Sequence, residues 1–181
     1  MMTLRNRNAS GDLNASVNFL VQSDGKPRVE IPEEGQGLAE RSGIFEDRLL
    51  QLIDGRSKAE HFTLDQHGFS FHYHKTNISN FLDKHQVLTL YFDEVEEFLK
   101  LVTGAKKIHI FDYTIRIEDE VKRNQVAVRA PVEVAHNDYT EKSGPQRVRD
   151  IFEEKEVEDW LQNRYAIINV WRPIGRPVVT K

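Results

Sequence analysis

The chain has 181 residues, of which 39% are hydrophobic and 30% are charged, so its length and composition fit one domain with a hydrophobic core. The formal net charge of -4 argues against a nucleic-acid or anionic-membrane partner, and the lack of cysteine excludes disulfides and thiolate metal sites. No apolar stretch approaches the roughly 20 residues of a membrane span. Since the N-terminus also lacks an apolar signal segment, the sequence predicts a cytoplasmic protein.

The first third of the chain predicts an arm followed by strands. Residues 1–45 are rich in Gly, Ser, Asn, Pro and charge, with one apolar patch at residues 17–21, and predict an irregular N-terminal arm ahead of a domain spanning residues 46–181. Residues 47–56 are an apolar run that ends in an Asp-Gly turn signal, which favours a strand over a helix. Residues 61–75 place apolar side chains two residues apart on either side of a His-Gly pair, which predicts a β-hairpin.

The middle of the chain predicts one clear helix between extended segments. Four apolar residues recur at helical spacing and predict the helix. They are Val95, Phe98, Leu99 and Val102. Asp93 is the candidate N-cap of this helix, and Gly104 lies just after its predicted end. Residues 106–117 have high β-propensity and predict a strand, a charged turn follows at residues 118–125, and residues 126–136 predict another strand.

The last part of the chain predicts helix and then strand. Ser143 is a candidate N-cap with Pro145 in the first turn, and residues 143–165 predict one bent helix or two short ones. Residues 165–174 predict the last strand. The whole is an α+β pattern with about five or six strands and inserted helices, and strands that are distant in sequence and apolar on one face favour a sandwich or open barrel.

His136 and Asp138 form the strongest candidate for a metal site. Residues i and i+2 of an extended segment project from the same face, so both side chains can reach one ion. An imidazole nitrogen with a carboxylate oxygen suits Fe(II), and a second histidine would complete the facial triad of non-haem iron oxygenases. The pattern by itself is short, and a polar strand end is the alternative interpretation.

The other histidines have simpler interpretations. His72 and His74 alternate and indicate a solvent-facing strand, whereas His109 lies between two isoleucines and indicates a core histidine. The same solvent-facing interpretation applies to His61, His67 and His85. Hydrolase and nucleotide-binding motifs such as G-x-S-x-G or G-x-G-x-x-G after a strand are absent from the sequence.

The segment NVWRPIGRP near the end of the chain allows two interpretations. Asn169 and Trp171 share one face of the predicted strand, and Arg172 points to the other. Either the tryptophan belongs to the core and the arginine to the surface, or Asn169 and Trp171 line a pocket beside the candidate metal pair.

Four blocks of sequence occur in a characteristic order: FTLDQHGFSFHYHKTNISNFLD, YFDEVEEFLKLVTGAKKIHIFDYTIRI, VAHNDYT and RYAIINVWRPIGRPV. From about Phe62 onward, the chain resembles the AsaB/CmcJ-like hydroxylase/desaturase family, mostly fungal enzymes of secondary metabolism. The resemblance implies a non-haem Fe(II), 2-oxoglutarate-dependent oxygenase on a partial double-stranded β-helix, a jelly-roll or cupin-like fold with inserted helices. It also implies that His136 and Asp138 are metal ligands and that Asn169, Trp171 and Arg172 lie in the substrate or cosubstrate pocket.

Two departures from the family affect these expectations. Tyr113 and Ile117 in FDYTIRI replace the histidine and the second arginine of FDHTIRR, which many relatives have. Family members also continue well beyond WRP and carry a distal histidine ligand there, whereas no histidine follows His136 in this sequence. The resemblance therefore predicts an incomplete iron site. It leaves open a paralogue without catalysis, a piece of a longer protein, or a site completed by another chain or by a third histidine: His72, His74 or His109.

A competing hypothesis is a non-catalytic small-molecule binding protein or an isomerase-like protein on the same scaffold. Its pocket would be lined by Tyr139, Tyr165, Trp171 and Phe111. His136 and Asp138 would then act as hydrogen-bonding or acid–base groups, since histidine titrates near neutral pH. Both hypotheses predict a small-molecule partner, no nucleic acid and no membrane, and they leave a homo-oligomer open.

Overall fold

Short antiparallel sheets and helices make up the computed structural model, which describes residues 13–23, 25–30 and 40–175. Strand β1 (Leu13–Gln22) pairs with β4 (Ile44–Leu52), and β2 (Val29–Glu30) pairs with β3 (Glu40–Arg41). The mixed α and β prediction is therefore confirmed.

The β1–β4 pair changes the interpretation of the N-terminal segment. Ala15 of β1, opposite Leu50, is only 1% exposed, and the Asn18 amide donates to Asp47 Oδ1 at 2.8 Å across the pair. The irregular arm predicted for residues 1–45 is therefore wrong for residues 13–22, while the division of the chain at residue 46 stays a prediction. The strand predicted at residues 47–56 is confirmed through Leu52.

The β-hairpin predicted at residues 61–75 is wrong. A 3₁₀ helix (Gly55–His61) leads to the single turn α1 (Leu64–His67), which ends at Gly68 in the left-handed region with φ 76°. The Phe69 and Phe71 rings pack against the Phe62 ring, with centroids 4.7 and 5.8 Å away. The alternating aromatic residues thus pack against one another within a single segment and do not form a hairpin.

The central helix is longer than its apolar pattern predicts. It starts with α2 (Lys84–Gln86), continues through a π turn (Val87–Tyr91) and ends with α3 (Phe92–Thr103). Asp83, and not Asp93, is the N-cap, because its carboxylate accepts from the backbone N–H groups of the first turn. Gly104 ends the helix as predicted. The buried apolar side chains of this region are Ile78, Val87, Val95 and Leu99.

Three predicted strands do not join a sheet in the described residues. They are residues 106–117, 126–136 and 165–174. The described residues of these segments make two isolated parallel bridges: Arg116 with Arg129, and Asn18 with Val134. The predicted turn after residue 117 is instead helix α4 (Glu120–Val126), since the Asp119 carboxylate accepts from Lys122 N and starts a helix.

Two short helices follow, which was one of the two alternatives for this region. They are α5 (Ser143–Ile151) and α6 (Glu154–Leu161), separated at Phe152, whose φ of −105° and ψ of 153° are extended. The predicted N-cap Ser143 instead exchanges hydrogen bonds with Thr140 in front of the helix.

The chain divides into two compact units. Residues up to Ala135 belong to the first unit, and residues from His136 onward belong to the second. Across the described ranges, no helix has both the length and the apolarity that crossing a membrane requires.

Two helix ends allow a paired test of backbone strain. Gly104 and Ala127 both end helices in the left-handed region, with φ of 69° and 51°. We expect Gly104→Ala to lower the free energy of unfolding by about 1 kcal/mol and Ala127→Gly to raise it by about 0.5 kcal/mol, because a Cβ is disfavoured in this conformation. Urea unfolding of both variants measures this, and changes of the same sign in the two variants would contradict it.

Candidate metal centre

The segment that leads to the candidate metal pair is held against β1. The Ala135 backbone N–H donates to the Asn18 carbonyl at 2.9 Å, next to the bridge between Asn18 and Val134. These contacts fix the end of the segment on β1, and His136 follows directly in the chain.

The side chains of His136 and Asp138 converge. His136 Nε2 lies 3.4 Å from Asp138 Oδ1, and both side chains are 47% exposed. This separation is long for a hydrogen bond. The two residues are only two apart in a segment outside any strand, and Asp138 lies at a bend of the chain.

Asn169 is the third side chain of this cluster. Its amide Nδ2 donates to Asp138 Oδ2 at 2.7 Å, although 31 residues separate the two in sequence. The two carboxylate oxygens therefore have different surroundings: Oδ2 accepts the amide hydrogen, and Oδ1 faces the imidazole. Sequence reasoning named Asn169 as a pocket residue but missed this contact.

The other pocket candidates lie in different environments. Trp171 is 75% exposed and Arg172 is half-buried, so the interpretation with Trp171 in the core and Arg172 on the surface is wrong. Tyr139 and Tyr165 are half-buried. The Tyr165 hydroxyl packs at the start of α5, next to the buried Gly144. Of the five pocket candidates, Asn169 contacts the metal pair through a hydrogen bond.

The remaining histidines differ in their exposure and in the rings they contact. His72 and His74 pack on the Phe98 ring, with centroids 5.3 and 4.9 Å away, and neither belongs to a strand. His109 is exposed, so the prediction of a core histidine is wrong. Among the residues that the structure describes, no three His, Cys, Asp or Glu side chains form a group able to hold a metal ion.

The pair itself fits two adjacent positions of a six-coordinate ion. Two donors about 2.1 Å from such an ion and at a right angle are about 3 Å apart, which is close to the 3.4 Å observed between Nε2 and Oδ1. A nitrogen and a carboxylate oxygen are also suitable donors for Fe(II). The residues therefore fit two of the three ligands of a facial triad.

Comparison with known proteins identifies the family. A family profile described as an oxidoreductase/YMDC permease-like domain matches residues 17–181. The chain belongs to this oxidoreductase family. The resemblance to the hydroxylase/desaturase family is confirmed as well, since the curated relatives of the chain include proteins with that name.

Three relatives illustrate the match. The hydroxylase/desaturase CTB9 of Cercospora beticola is 32% identical over 143 residues, which cover 73% of this chain and 44% of that protein. The Fe(II)/2-oxoglutarate-dependent dioxygenase nvfI of Aspergillus novofumigatus is 28% identical, with 91% and 60% covered. An uncharacterized protein in the dcmA 3′ region of Methylophilus leisingeri is 28% identical, with 90% and 91% covered. The chain thus spans about half the length of the curated fungal relatives it matches.

Proposed function

We propose that this chain provides the metal-binding part of an Fe(II)/2-oxoglutarate-dependent hydroxylase or desaturase that acts on a small secondary metabolite. The observation that carries the proposal is the convergence of His136 Nε2 and Asp138 Oδ1 at 3.4 Å in a member of an oxidoreductase family. Relatives named as Fe(II)/2-oxoglutarate-dependent and alpha-ketoglutarate-dependent dioxygenases support the choice of metal and cosubstrate.

The proposed roles follow from the chemistry of each side chain. His136 Nε2 and Asp138 Oδ1 hold Fe(II), and the carboxylate contributes negative charge to offset the charge of the cation. When bound, Fe(II) would supply the site at which dioxygen oxidises both 2-oxoglutarate, which is decarboxylated, and a substrate C–H bond. Both protein donors are half-exposed, which leaves open sides for 2-oxoglutarate and substrate. The remaining pocket residues of the proposal are Tyr139, Tyr165, Trp171 and Arg172.

The proposal assigns two protein ligands to the described residues. The third ligand of a facial triad then comes from outside them, or solvent takes its place in the isolated chain. We propose the jelly-roll scaffold for the family fold, because it is consistent with the hydroxylase/desaturase and dioxygenase relatives of the chain.

Anaerobic titration with Fe(II) and 2-oxoglutarate tests the proposed function. We expect the wild-type chain to develop the visible charge-transfer band of an Fe(II)–2-oxoglutarate complex and His136→Ala to lose it. His85→Ala is the matched control, because His85 is an exposed histidine that is not a candidate ligand, and its replacement should leave the band intact. The proposal fails if the wild-type chain gives no band.

A second candidate function is non-catalytic or isomerase-like small-molecule binding. It is favoured by the lack of any group of three metal-donor side chains within the described ranges. His136 and Asp138 would then bind a polar ligand directly. The same titration separates the two candidates, because this function predicts ligand binding that does not depend on added Fe(II).

A further inference from the structure

The contact between Asn169 and Asp138 has no evident structural purpose. Both residues are exposed, and hydrogen bonds between exposed side chains contribute little to stability because water competes for the same groups. Tyr165 and Ile167 also lie close to Gly144 at the start of α5, so the segments around residues 138–144 and 165–169 have other contacts. The direct consequence of the hydrogen bond is local and concerns the Asp138 carboxylate.

The amide fixes the orientation of the Asp138 carboxylate. A half-exposed aspartate rotates about its terminal bond, and either oxygen then points towards the imidazole. The donor at 2.7 Å holds Oδ2 and leaves Oδ1 as the oxygen that faces His136 Nε2. An amide carries no charge, so Asp138 keeps its full negative charge for a cation, which a lysine or arginine in this position would partly neutralise.

We propose that Asn169 is a positioning residue that presents Asp138 Oδ1 alone, as a one-oxygen ligand, beside His136. This inference rests on the proposed function and adds to it a residue that acts through another side chain. The general physical basis is that partners hydrogen-bonded to a metal ligand fix its orientation and thereby raise metal affinity.

Co(II) binding to the full chain tests this role. Titration of the chain with Co(II), followed by its visible absorption, should show that Asn169→Ala lowers the affinity by roughly 10- to 100-fold. Asn163→Ala is the matched control: Asn163 is an exposed asparagine of the same unit, and its amide donates to the Asp159 carbonyl at 2.9 Å. It should bind Co(II) like the wild-type chain, and circular dichroism should show all three proteins folded.

A second measurement needs no metal. In the ¹H–¹⁵N spectrum of the metal-free chain, the side-chain amide signal of Asn169 should move in Asp138→Ala, whereas the Asn163 signal should not. An Asn169 signal that does not respond overturns the inference regardless of metal binding.

The outcomes separate this inference from the proposed function. Wild-type binding of Co(II) together with unchanged affinity in Asn169→Ala overturns the positioning role and leaves the proposed function standing. A wild-type chain that binds no Co(II) overturns the proposed function and this inference with it. Weaker binding in Asn169→Ala, with both controls as expected, supports the inference.

Discussion

Asp138→Ala is expected to abolish measurable Fe(II) binding by this chain. The substitution removes one of the two donors that lie 3.4 Å apart, and it also removes the negative charge that attracts the cation. The loss should exceed the roughly 10- to 100-fold effect typical of a residue that only supports a ligand. Anaerobic Fe(II) titration, or Co(II) titration followed by absorption, measures it.

Two further variants isolate the cause of this loss. Asp138→Asn keeps the shape of the side chain but removes its charge, so we expect binding almost as weak as that of Asp138→Ala. Asp150→Ala is the matched control, because Asp150 is an exposed carboxylate of the same unit that accepts from the Gln146 amide. Equal Fe(II) affinity in Asp138→Ala and Asp150→Ala would refute the assignment of Asp138 as a ligand.

Glu94→Ala is expected to lower the free energy of unfolding by about 2 kcal/mol. The Glu94 carboxylate accepts from the Thr76 hydroxyl and from the Asn77 backbone and side-chain N–H groups, the latter two at 2.8 and 2.9 Å. These bonds tie the extended segment before the central helix to α3. Alanine breaks all of them and leaves the polar groups of residues 76–77 without this acceptor.

A neighbouring glutamate provides the control for Glu94. Glu96 lies on the same helix and pairs with Lys100 four residues later, at 2.6 Å, on an accessible face. Because exposed pairs of this kind contribute little, Glu96→Ala should cost no more than about 0.5 kcal/mol. Urea unfolding at neutral pH compares the two variants, and equal losses would contradict the role assigned to the Glu94 contacts.

The same contacts predict a pH dependence. Burial of the Glu94 carboxyl acts to raise its pKa, but the hydrogen bonds from Thr76 and Asn77 together outweigh this effect and hold the pKa below its ordinary value. A lowered pKa in the folded chain means that the stabilisation is present above the unfolded value of about 4.3 and is lost as the pH falls through the folded pKa. The difference in stability between the wild-type chain and Glu94→Ala should therefore shrink as the pH falls below about 4.3.

Local sequence patterns predicted several elements correctly. The apolar spacing before Gly104, the run that ends in Asp54-Gly55, and the segment that becomes α5 and α6 all form the expected type of structure. The same holds for the convergence of His136 and Asp138, which depends on the geometry of three consecutive residues. In each case the deciding interactions lie within a few residues of one another, so the sequence contains them directly.

The errors arose where distant residues decide the structure. Residues 106–117 and 126–136 have strong β-propensity, yet a strand forms only if a partner backbone lies in register, and the described residues offer only isolated bridges. In contrast, residues 13–22 have a weak pattern but become β1, because β4 pairs with them across the chain. Propensity describes whether a segment suits a sheet and says nothing about where its partner lies.

The candidate site shows the same division. The sequence alone predicts that an imidazole and a carboxylate lie side by side, because a spacing of two on extended backbone puts them on one face. Only the folded chain brings the Asn169 amide to Asp138 Oδ2, since α5 and α6 lie between the two residues in sequence and the geometry of both helices determines where the last segment runs. The two candidate ligands thus follow from local backbone geometry, and the contact that orients one of them follows from the tertiary fold.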